Sequence, residues 1–136
     1  MLKGRCCCGF VRYEVDGGPD HSSCCHCSIC RRASAAPFVA WFTVAPAAFR
    51  LVSGQLASFK SSEHATRTFC ARCGTPITFQ STHYPNEIDI TTGSLDDPEQ
   101  VRPDAHTYVA SGLTWVRMAD GLPAYPDKRP EYETPT

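Results

Sequence analysis

The chemistry this chain can do is concentrated in its nine cysteines. They fall into three clusters: Cys6-Cys7-Cys8 before Gly9, Cys24-Cys25-His26-Cys27-Ser28-Ile29-Cys30, and Cys70-Ala71-Arg72-Cys73 before Gly74. An odd count and adjacent cysteines, whose bridging would strain the shared peptide, argue against a disulfide framework. Thiolates at these spacings suit zinc or a similar soft ion. Cys70 and Cys73 occupy one tight turn, and Gly74 supplies the positive φ that closes it. Cys6 and Cys8 share one face of an extended segment, with Cys7 pointing the other way. The two pairs together supply the four thiolates of a closed, structural zinc site.

The middle cluster differs in kind. Cys25, Cys27 and Cys30 bring three sulfurs together locally, and three protein ligands leave a fourth position open, as in a catalytic zinc. Such a site suits an incoming thiol, whose pKa the metal lowers. Cys24 leaves two alternatives: it closes the site as a fourth sulfur, or it faces away from Cys25 into the core. His26, between two ligands in an extended stretch, is expected to face away.

Hydrophobic content explains why metal is needed. Leu, Ile, Val and Phe together make about 18% of the 136 residues, low for a self-sufficient core, yet the net charge is only −1. No apolar run is long enough to span a membrane, and the first residues lack the apolar stretch of a signal peptide, so a cytoplasmic location is expected. Arg and Lys are scattered, which gives no electrostatic footprint for nucleic acid.

Alternating or apolar runs predict strands over 10–15, 38–44, 55–60, 66–70, 76–80, 87–92 and 106–110. Only a short helical turn fits between Arg31 and Ala36, before Pro37. Breakers recur every eight to twelve residues, the rhythm of an all-β domain. We expect a zinc-binding domain over 1–120 and a Pro-rich strap or tail over 121–136. Trp41 and Trp115 are expected in the core or a pocket wall, and Asp96 and Asp97 in a turn or cap before Pro98.

With these residues in view, the chain resembles the glutathione-dependent formaldehyde-activating family. The likeness is carried by Gly4-Arg5-Cys6-Cys7-Cys8-Gly9-Phe10, Cys25-His26-Cys27-Ser28-Ile29-Cys30-Arg31-Arg32, Phe69-Cys70-Ala71-Arg72-Cys73-Gly74 and Thr92-Gly93-Ser94-Leu95-Asp96-Asp97-Pro98. Pro103, His106, Trp115 and Leu122-Pro123 extend it. The resemblance implies an all-β, Mss4-like fold of short coiled antiparallel sheets stapled by zinc. It implies two zinc ions per chain: a structural one on Cys6, Cys8, Cys70 and Cys73, and a catalytic one on Cys25, Cys27 and Cys30. The activity implied is that of a carbon–sulfur lyase that adds glutathione to formaldehyde, giving S-(hydroxymethyl)glutathione. Ala35 departs from the family pattern, standing where members often carry glycine.

For that reaction His106 is the first candidate general acid or base, because an ordinary imidazole titrates near neutral pH. The bland alternative is a structural hydrogen-bonding histidine. Arg31 and Arg32, directly after Cys30, are candidates for binding the carboxylates of glutathione, against the alternative of solvated surface charges. The competing functions are a non-enzymatic zinc-stabilised interaction module and the same chemistry on a different thiol or electrophile.

Overall fold

The computed structural model describes residues 1–132, and their architecture is the expected all-β class: ten short strands and one short helix. A three-stranded antiparallel sheet has the order β1 (Leu2–Arg5), β2 (Arg12–Val15), β5 (Phe49–Ser53). A seven-stranded sheet runs β10 (His106–Thr107), β3 (His21–Cys25), β4 (Val39–Val44), β9 (Ile88–Thr91), β8 (Pro76–Ser81), β7 (Ala65–Cys70), β6 (Leu56–Lys60). Its pairings are antiparallel except β10 with β3. No helix of the described residues is long and apolar enough to cross a membrane.

Alternation along the strands sorts the large sheet into two faces. Phe42, Val44, Ile77, Ile88 and Ile90 point into the main core, where they meet Leu2, Tyr13 and Val15 of the small sheet and Val11 just before β2. The opposite face carries a row read directly from the register. Arg67 lies opposite Phe79, Phe79 opposite Asp89, Asp89 opposite Thr43, and Thr43 opposite His21. Residues paired in this way share one face, so the row forms a continuous wall.

The sequence-predicted strands at 38–44, 55–60, 66–70, 76–80 and 87–92 recur within about one residue at each end. The expected strand at 106–110 is shorter: after Thr107 the chain bends into a 3-10 turn at Val109–Ser111. Asp97 caps the 3-10 turn at Pro98–Gln100, accepting from the Glu99 backbone N–H. Trp41 is buried in the second, smaller core cluster, whereas Trp115 is 69% exposed. The expectation for Trp115 is therefore corrected: it follows β10 in a loop that no sheet covers.

Residues 121–132 cross the exposed side of β10. The His106 N–H donates to the Pro123 carbonyl, and the Tyr125 N–H returns a bond to the His106 carbonyl, each at 2.8 Å. Further along, Arg129 is buried and donates to the Ser22 carbonyl and the Asp104 carboxylate. The last part of the proposed strap or tail, 133–136, lies outside the described residues.

Candidate functional site

The sulfurs of Cys6, Cys8, Cys70 and Cys73 all lie within 4.8 Å of one another. Two turns bring them together. The Cys6–Gly9 segment is not extended as expected but a turn, closed through the Gly9 N–H on the Cys6 carbonyl, and Gly9 has φ +80°. The Cys70–Gly74 turn closes through the Gly74 N–H on the Cys70 carbonyl, and Gly74 has φ +81°. Backbone N–H groups then point at sulfur: Val11 at Cys6 (3.2 Å), Arg72 and Cys73 at Cys70 (3.3 and 3.4 Å). Such donors stabilise a thiolate. Cys73, also hydrogen-bonded to Thr75, is pulled down to about 5. Cys7 is exposed and stands outside the group. Four convergent sulfurs with an N–H shell fit a closed zinc site.

The second group is Cys25, Cys27 and Cys30, again with all sulfurs within 4.8 Å. Cys25 ends β3, and Cys30 lies in α1 (Ser28–Ser34). Cys27 is the N-cap of that helix, its sulfur accepting the Cys30 N–H at 3.3 Å. The helix thus starts three residues before the expected turn, because a cysteine takes the place of the usual Ser or Asp cap. Hydrogen bonds from the Cys25 and Cys30 thiols, added to the cap, hold the Cys27 thiol down at about 2, while the same sharing pushes Cys25 far up. A cluster that shares protons this closely fits a divalent soft cation, which replaces the protons.

Cys24 is not part of this group. It pairs with Ala40 on the other face of β3, and burial raises its thiol to about 11. His26 also faces away. Its Nε2 meets His106 Nδ1 at 3.0 Å, and its ring stacks on Phe38.

A cavity of about 600 Å³ opens over the three sulfurs. Arg67, Phe79 and Asp89 of the row described above line it together with Trp41, and His64 and His83 reach it from the β6–β7 and β8–β9 connections. Tyr108, directly after β10, and Lys128 and Arg129 of the strap complete the lining. Of the sequence-based candidates, Cys25, Cys27, Cys30 and Trp41 line it, and His106, Arg31 and Arg32 do not. His106 lies opposite Cys24, while Thr107 lies opposite Cys25. Strand alternation therefore turns His106 away from the three sulfurs into a chain that runs from buried His26 through buried His106 to exposed Asp120, with Nε2 of His106 2.8 Å from the Asp120 carboxylate. Arg32 is exposed, and Arg31 sits in the last turn of α1, where a cation favours the helix dipole.

Sequence reasoning missed Tyr108, Lys128 and Arg67. Tyr108 adopts φ 55° and ψ 36°, a left-handed conformation that is rare and costly for a bulky residue and is often kept for function. Burial and the nearby sulfur charges raise its hydroxyl, so it stays protonated. No local pattern marks such a residue. Its place follows from parallel pairing across some 80 residues of chain. Asp89, also in the lining, is pushed up to about 6 by burial, although it accepts Thr43 Oγ1–H at 2.5 Å.

These features describe a small, all-β, cysteine-stapled domain with a sulfur-floored cavity. The family model for glutathione-dependent formaldehyde-activating enzyme matches residues 1–111, and the chain belongs to that family. It is 29% identical over 108 residues to a Schizosaccharomyces pombe protein named uncharacterized lyase C29B12.13, covering 79% of this chain and 77% of that one. A crystal structure of a Rhodobacter sphaeroides protein is similar with a TM-score of 0.60 and 25% identity, over 90% of this chain and 98% of its own.

Proposed function

We propose that the protein is a zinc-dependent, carbon–sulfur lyase-type enzyme that joins a thiol, glutathione in the first instance, to a small aldehyde such as formaldehyde. The observation that carries this reading is the three-sulfur cluster in the floor of a cavity whose walls are cationic and aromatic. Zinc on Cys25, Cys27 and Cys30 supplies, when bound, a soft Lewis acid that favours thiolate and polarises a carbonyl. The second ion, on Cys6, Cys8, Cys70 and Cys73, is structural. Family membership and the lyase name of the fission-yeast relative support the reaction class.

In the net step a sulfur–carbon bond forms at the aldehyde carbon. The carbonyl π pair moves to oxygen, and the proton lost by the thiol ends there. Tyr108 is our candidate to donate a hydrogen bond to that oxygen. Lys128, on the strap side, is our candidate to hold a carboxylate of the thiol, and Trp41 with Phe79 excludes water.

The test is exchange NMR of glutathione with formaldehyde. Wild-type protein is expected to accelerate adduct exchange over the spontaneous rate, and Cys27→Ser to abolish the acceleration. Protein loaded with both metals that gives no acceleration contradicts the reading and favours the zinc-stapled interaction module.

A further inference from the structure

Arg67 is a buried cation whose side-chain hydrogen bonds go to a sulfur and a hydroxyl. The residue is 6% exposed, with Nη2 donating to Cys30 Sγ at 3.5 Å and Nε to Ser61 Oγ at 2.9 Å. Its Cζ stands 4.9 Å from the Phe79 ring centroid and 5.8 Å from that of Trp41. A buried guanidinium needs a counter-charge close by. Asp89, in the same row, feels the Arg67 charge across the sheet, but β8 and its Phe79 stand between the two, and strands are spaced about 4.8 Å apart. The charge that Arg67 touches is the sulfur cluster.

Charge counting gives this contact a purpose. Three thiolates and one divalent ion sum to minus one, which disfavours a further anion at the same centre. One guanidinium against Cys30 brings the sum to zero. We propose that Arg67 is a positioning residue that neutralises the three-sulfur metal site, so that the site accepts an anionic thiolate over a neutral donor. The aromatic side chains of Trp41 and Phe79 serve the same end by shielding the guanidinium from water, since charge counts most where water is excluded. The inference rests on the functional reading above and adds to it the charge class of the incoming ligand.

Cobalt-loaded protein tests it through the sulfur-to-metal absorption bands, without reference to turnover. Titration uses 2-mercaptoethanol, which binds as thiolate, and imidazole, which binds neutral. Arg67→Gln is expected to weaken thiol binding by about tenfold or more while changing imidazole binding by less than about twofold, and Arg67→Lys to restore most of the thiol affinity. Ser61→Ala, which frees one end of the guanidinium, gives the same selectivity at a few-fold level and serves if Arg67→Gln fails to hold its second metal. Equal losses for both ligands, or no loss of thiol affinity in either Arg67→Gln or Ser61→Ala, overturn the role of Arg67. A wild-type protein whose bands ignore thiol overturns instead the functional reading beneath it.

Discussion

The two sulfur clusters use the same ligand type and differ in almost everything around it. Cys6 and Cys8 belong to the start of the chain and Cys70 and Cys73 to its middle, so their cluster ties β1–β2 to the β7–β8 turn. Two of its sulfurs, Cys6 and Cys70, accept backbone N–H groups from in or beside their own turns. Cys25, Cys27 and Cys30 span six residues, tie only β3 to α1, and face a cavity bearing a buried arginine. The lesson is that ligand spacing announces a metal, while the surroundings decide its work. Sulfurs that join distant chain segments hold a fold, and sulfurs gathered locally beneath a cavity leave room for a reactant.

The widest separation between the two is expected from serine substitutions. Cys70→Ser should leave the protein largely unfolded by circular dichroism, because structural zinc contributes about 10 kcal/mol or more to small domains. Cys27→Ser should keep the fold, lose one zinc per chain and abolish adduct exchange. Equal effects on folding would erase the distinction.

A smaller effect sharpens the cavity side. The folded pKa of Asp89, about 6, lies above its ordinary 3.8. Its contribution to stability is therefore fully present below about pH 4 and lost as pH rises through 6, about 3 kcal/mol in all, of which the range from pH 4.5 to 7.5 takes about 2 kcal/mol. Asp89→Asn should gain on wild type by that amount between pH 4.5 and 7.5 in urea melts. A constant difference across that range would remove Asp89 from the account.

Lys128→Ala should raise KM for an anionic thiol about fivefold with kcat little changed, as expected for lost ground-state binding. The least effect belongs to Ala35, the αL cap of α1 at φ 50°, whose N–H bonds the Arg31 carbonyl. Ala35→Gly should stabilise the protein by about 1 kcal/mol, read from thermal unfolding, because it relieves left-handed strain. It should do so without touching the staple.

Much of this was legible before the fold was known, because cysteine spacing is local. The turn at Cys70–Gly74 and the outward His26 follow from turn chemistry and alternation, whereas the Cys6–Gly9 turn replaces an expected extended segment, and the fold rather than the spacing decides between the two alternatives for Cys24. The strands β1, β3 and β5 were not legible: His21-Ser22-Ser23-Cys24-Cys25 carries no apolar alternation and becomes a strand through its neighbours. The cavity walls were hidden for the same reason. Arg67 reaches Cys30 by pairing with β8, and Tyr108 reaches the cavity through a two-residue parallel strand. His106 drew attention by its chemistry, yet one step of strand alternation turns it to the other face.

The most direct test of the central claim is zinc stoichiometry together with X-ray absorption on protein purified without chelator or added thiol. The account predicts two ions per chain, with fewer than four sulfurs per ion on average and one more sulfur at the second site when thiol is added. One ion per chain, or four sulfurs around each before thiol is added, would contradict it.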